Sequence, residues 1–136
     1  MSGFVVGYDG SDGSGAALRR ALELGRELDL PVCVVFGFRA NPVGGELTDY
    51  RKALDEHARE VLAQAAEAAR AEGVVVETVI AEEDPAHALA DVGRDRDARA
   101  IVVGTRGESP LRGALIGSTA HKLLHLADRP VLVVPG

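Results

Sequence analysis

The chain has 136 residues, a formal net charge of −6 and 46% apolar residues, yet only five Phe and Tyr and no Trp. Its size suits one domain over residues 1–136, with a core built from Val, Leu, Ile and Ala. Acidic and basic residues are mixed with no polybasic run, which argues against duplex DNA and anionic lipid as partners. No apolar run approaches the ~20 residues that span a bilayer, and the first residues lack a charged leader followed by a long apolar stretch, so a cytoplasmic location is expected. The single cysteine, Cys33, excludes an internal disulfide and reads as a reduced, buried thiol.

Short β-branched apolar runs alternate with longer stretches of helical period, the pattern of βαβ units and a parallel sheet. Five runs predict strands: Phe4–Tyr8, Val32–Phe38, Val74–Ile80, Ala100–Val103 and Val131–Val134. Each is nearly continuous in apolar residues, as expected of strands buried on both faces. After the first, Leu18, Ala21, Leu22, Gly25 and Leu28 recur at helical spacing, with Ser11, Asp12 or Ser14 available as cap. A longer helix is predicted from about Leu47 to Glu72, with Tyr50, Leu54, Ala58, Val61, Leu62, Ala65 and Ala69 on its stripe and Gly73 as its stop. Asp84-Pro85 opens a third helix. The fourth follows Gly117-Ser118, carries Ala120, Leu123, Leu124 and Ala127, and is stopped by Asp128-Arg129-Pro130.

In an open parallel sheet, ligands bind beyond the carboxyl ends of the strands, where the winding direction reverses. Two glycine-rich loops start there. One runs from Gly7 to Gly15 after the first strand; the other starts at Gly104-Thr105-Arg106-Gly107, after Val103. The connection from Gly104 to Gly117 is longer than a strand-to-helix joint requires, which marks it as functional. Glycines allow positive φ and close approach of a ligand to the backbone, and the amides opening the fourth helix form an anion site. Ser118 and Thr119 add hydroxyl donors there, and Arg106 and Arg112 are the loop cations able to reach a terminal phosphate. No Gly-Lys-[Ser/Thr] and no G-x-G-x-x-G occurs, which removes P-loop and dinucleotide readings.

The spacing Gly104-x2-Gly107-x9-Gly117-Ser118 resembles the G-x2-G-x9-G-[ST] nucleotide-binding signature of the universal stress protein family. Val5-Val6-Gly7-Tyr8-Asp9-Gly10-Ser11 resembles the family's opening strand and Asp-Gly-Ser turn, and Pro130-Val131-Leu132-Val133-Val134 its closing strand. The resemblance therefore extends over the whole chain. It implies an α/β fold with a single open five-stranded parallel sheet of order 3-2-1-4-5 and helices on both faces, of the Rossmann-like adenine-nucleotide type. It also implies ATP as ligand, with or without Mg2+, and a homodimer paired through Val131–Val134. By the same resemblance Asp9, with Gly10 and Ser11 of its turn, contacts the nucleoside and Gly37 lies by the adenine. Val103, Gly104, Thr105, Arg106, Gly107, Arg112, Gly117, Ser118 and Thr119 surround ribose and phosphates. Val35, Phe36 or Phe38 are alternatives for the adenine wall.

No lysine accompanies this cradle and no base is paired with a nucleophile, so no catalytic residue is assigned. A non-enzymatic nucleotide sensor is one reading. A slow ATPase or a transferase in which Asp9 or Asp12 places a metal is a second, and a scaffold dimer that takes AMP, cyclic AMP or no nucleotide is a third. Ordinary helix capping is the competing role for Asp9 and Asp12. His121 and His125 stand at i, i+4 but without an obvious third ligand, so no metal site is assigned to them. His57 and His87 read as structural.

Overall fold

A computed structural model describes residues 2–39, 47–105 and 116–136. Its elements in chain order are β1 (Phe4–Gly7), α1 (Asp12–Leu28), β2 (Val32–Gly37), α2 (Leu47–Glu72), β3 (Val76–Ala81), α3 (Pro85–Asp95), β4 (Ala100–Gly104), α4 (Ser118–Leu126) and β5 (Val131–Val134). The five strands form one parallel sheet of order β3-β2-β1-β4-β5, as the resemblance implied. β1 is central: Phe4 pairs with Val32 on one side and with Ala100 on the other.

Strand alternation sorts the core into two layers. Phe4, Val6, Val32, Val34, Phe36 and Val102 pack on one face under α1 and α2, with Leu18, Leu22, Ala58, Val61 and Leu62. Val5, Cys33, Val35, Ile101 and Val103 pack on the other, under α3 and α4, with Leu89 and Leu123. Each such side chain contributes about 1.5–3 kcal/mol relative to exposure, so both layers must be filled for the sheet to persist.

The caps set the element boundaries. Ser11 is the N-cap of α1 and accepts a hydrogen bond from the Ser14 amide at 3.3 Å. α2 ends at Gly73, whose φ of +70° lets the Val74 amide turn back to the Ala69 carbonyl at 3.0 Å. With that amide committed to the helix end, β3 starts at Val76 rather than at Val74.

The expectation of two-sided burial fails at the sheet edge. In β3, Glu77 and Thr78 are exposed, and in β5 Leu132 is too. Lacking a neighbour on one side, edge strands keep access to water that β1, β2 and β4 lack. Tyr50, Leu28 and Leu124, placed on apolar stripes by spacing, are exposed as well. Leu28 and Tyr50 sit in the end turns of their helices. Leu124 follows the fully buried Leu123 and is rotated about 100° away from the core by the helical period.

Candidate functional site

β1 and β4 lie side by side, but the chain leaves β1 for α1 on one face of the sheet and leaves β4 for α4 on the other. Their carboxyl ends therefore part around a crevice, at the point where the winding reverses. Val35 and Val103 line it from the sheet, Gly7, Gly37 and Gly104 stand where those strands end, Pro85 and Leu89 come from α3, and Thr119 comes from α4. Its empty space is about 570 Å³, including the open mouth.

Asp9 closes the crevice on the α1 side and is tightly held. Its Oδ1 accepts from the Ser11 amide at 2.9 Å, from the Ser11 hydroxyl at 2.5 Å and from the Ser14 hydroxyl at 2.8 Å. The Asp9 amide in turn donates to Ser14 Oγ at 3.2 Å. Asp9 is therefore not the cap of α1; it orients Ser11, which is. Among the described residues no donor reaches Oδ2, so one carboxylate oxygen stays available next to the crevice. Gly10 carries the chain through this turn with φ +87°, a conformation that favours glycine. Asp12 is exposed in the first turn of α1, where its charge suits the helix dipole.

On the opposite wall, Thr105 and Gly117 are joined: the Gly117 amide donates to the Thr105 carbonyl, and the Thr105 amide donates to Val134 at 3.0 Å. Gly117 is the buried N-cap of α4 and has no side chain with which to cap it. Among the described residues no side chain caps the first-turn amides of α4, which open the end of the helix that bears roughly half a positive charge. Ser118 is exposed and Thr119 half-buried at this end. Arg106, Gly107 and Arg112 lie outside the described residues.

Two glycines owe their identity to the protein's own packing. A Cβ on Gly104 would stand 2.7 Å from the Gly13 carbonyl carbon and closer still to its oxygen. A Cβ on Gly37 would lie 2.9 Å from Pro85 Cα and 3.1 Å from the Glu83 carbonyl oxygen. Of the three alternatives for an adenine wall, only Val35 lines the crevice. Phe36 points to the other face, 6.0 Å from the His57 ring and 6.3 Å from the Phe38 ring, because successive strand residues alternate sides. The sequence placed the Gly7–Gly15 loop at the crevice without singling out Gly7, Tyr8 or Ser14 in it, and it did not mark Pro85 and Leu89 as lining residues. Ser14 and Pro85 had registered only as helix-start signals, and Leu89 carries no local mark of its position.

Beside the crevice, Asp84 ties α3 to α4. It accepts from Lys122 Nζ at 3.1 Å and contacts His87 Nδ1 at 3.0 Å. Burial works to raise the Asp84 pKa, but those two partners outweigh it and lower it. The neighbouring Glu83 carboxyl is raised, chiefly by its hydrogen bond to Asp91, which is lowered by the same bond. Among the described residues no group of three or more His, Cys, Asp or Glu side chains is placed to hold a metal ion, and no helix is long and apolar enough to cross a membrane. For Mg2+, the described part of the crevice offers the free Oδ2 of Asp9 as its one evident anionic ligand.

Comparison with known proteins bears on this arrangement. Residues 3–135 match the model of the universal stress protein family. The universal stress protein YxiE of Bacillus subtilis is 32% identical, over 96% of each chain. Among solved structures, a universal stress protein of Archaeoglobus fulgidus in complex with dAMP is 28% identical over 98% of both chains, with a TM-score of 0.75. A universal stress protein in complex with cAMP is 26% identical over 98% of this chain and 96% of that one, with a TM-score of 0.76. The family match over nearly the whole length, the sheet order and the crevice at the β1/β4 switch agree, and the chain belongs to the universal stress protein family.

Proposed function

We propose that this chain binds ATP in the β1/β4 crevice and works as a nucleotide-dependent sensor in stress response rather than as a catalyst. The observation that carries the reading is the N-terminus of α4, which opens at Gly117-Ser118 beside the end of β4 with no side-chain cap among the described residues. Its free amides and the Ser118 and Thr119 hydroxyls provide donors for phosphate oxygens without a lysine. Gly104, Thr105, Arg106, Gly107 and Arg112 complete that end of the site in this reading. Asp9, fixed through Oδ1 by Ser11 and Ser14 over Gly10, presents Oδ2 to a ribose hydroxyl. Val35 and Val103 supply apolar surface for the base, with the Gly37 backbone at its edge.

These groups bind and orient; none activates a water, so ATP is held rather than turned over. Mg2+, when bound with ATP, would neutralise phosphate charge. The sensor acts as a homodimer through the edge strand Val131–Val134, where a second copy would satisfy the free strand edge and cover Leu132. The dAMP and cAMP complexes of relatives favour a second reading, in which a monophosphate is the physiological ligand.

Calorimetric titration of nucleotide-stripped protein with ATP, AMP and cyclic AMP, with and without Mg2+, separates the readings. ATP is expected to bind most tightly and to change the protease cleavage pattern. Gly117→Val should abolish binding in a variant that still unfolds cooperatively, at a somewhat lower melting temperature because Val caps a helix less well than Gly. Undiminished affinity in that variant refutes the site, and preference for a monophosphate establishes the second reading.

A further inference from the structure

The outer face of α4 carries His121 and His125 one helical turn apart, both exposed. Their ring centroids are 5.1 Å apart and their planes 70° from parallel. We propose that this pair is a bidentate site for a borderline divalent transition metal, with Cu2+ preferred and Ni2+ and Zn2+ weaker.

The spacing supplies the argument. Metal–imidazole bonds measure ~2.0–2.1 Å, which puts each ring centroid about 3.2 Å from the metal. Two such rings meeting at a right or tetrahedral angle have centroids roughly 4.5–5.2 Å apart. The observed 5.1 Å falls inside that window, so rotation about the side-chain bonds of two exposed residues can turn one nitrogen of each ring toward a shared ion. A rigid helix backbone under both residues means little ordering is required on binding.

The chemistry of the donors selects the metal. Two neutral imidazoles suit Cu2+, Ni2+ and Zn2+, and copper leads in the Irving–Williams order. Mg2+ and Ca2+ prefer oxygen ligands and are excluded. Among the described residues no carboxylate or thiol joins the pair in a larger cluster, so water fills the remaining positions and exchangeable binding is expected. The site is independent of the nucleotide crevice and stands whether or not ATP binds there.

The test uses the full chain without an affinity tag, in a non-coordinating buffer. CuCl2, NiCl2 and ZnCl2 are titrated by calorimetry, and electron paramagnetic resonance of the copper form counts coordinated nitrogens. One metal per chain and two imidazole nitrogens are expected. Loss of either ring removes the chelate, so His121→Ala and His125→Ala should each weaken binding about tenfold or more, and the double variant little further. His57→Ala and His87→Ala should leave it unchanged. Thermal melts of the metal-free variants should match the parent, since both side chains are exposed. Equal binding by the parent and the double variant, loss in only one of the two single variants, or a signal that moves with His57 or His87 overturns the proposal.

Discussion

Replacing Gly104 with Ala distinguishes a glycine kept for a ligand from one kept for the fold. The added methyl would sit 2.7 Å from the Gly13 carbonyl carbon, at least roughly 0.8 Å inside the ~3.5–4.0 Å of ordinary contact. Both partners are backbone, so no rotamer change relieves the clash, and α1 must move away from β4. Overpacking of this kind costs about 1–3 kcal/mol. The reduced freedom of the unfolded chain returns about 0.4–1 kcal/mol of that. The balance, centred on about 1.3 kcal/mol of lost stability, corresponds, for a chain of this length, to a fall in Tm of about 4–6 °C. Because Ser11 and Ser14 at the start of α1 hold Asp9, the same shift should weaken the crevice wall. Urea unfolding and thermal melts of nucleotide-free protein supply the measurement. A variant as stable as the parent without nucleotide would refute packing as the reason for glycine at this position.

Gly10→Ala makes only ordinary van der Waals contact with Val61, at 3.6 Å and beyond, so its cost comes from the left-handed φ. A loss of about 1–2 kcal/mol in urea unfolding is expected, and a neutral result would refute the strained turn. Burial pushes the Cys33 thiol up to about 11, an effect that nearby Glu77 reinforces and Arg96 only partly offsets. At pH 8 only about one thiol in a thousand is then ionised; a thiol reagent should react slowly with native protein and rapidly in urea, and equal rates would contradict the burial. For Asp84 the folded pKa lies below its ordinary 3.8 despite burial, because of His87 and Lys122. Its contribution to stability is present above that ordinary value, which holds in the unfolded chain, and is lost as pH falls through the lower folded value. Asp84→Asn should therefore flatten the fall of Tm between about pH 5 and pH 2, whereas an unchanged slope would exclude this linkage.

Much of the architecture was legible in the sequence because its signals are local. Nearly continuous apolar runs and period-3.6 apolar patterns located five strands and four helices, and the Gly104-x2-Gly107-x9-Gly117-Ser118 spacing with the Asp9-Gly10-Ser11 turn located the family. The same patterns erred where a neighbour was missing. Glu77, Thr78 and Leu132 are exposed because β3 and β5 are edges, and a run of residues does not reveal which strand lacks a partner.

What the sequence by itself determined is the set of elements and their order, since each follows from backbone geometry over a few residues. Tertiary structure alone decided that Gly104 yields to Gly13, that Gly37 yields to Pro85, that Val35 rather than Phe36 lines the crevice, and that Asp9 orients the cap instead of serving as one. Those relations join residues through sheet register, strand pleat and helix docking. Register and docking are settled only when separate elements bury their apolar faces against one another, so the deciding information lies in the assembled layers.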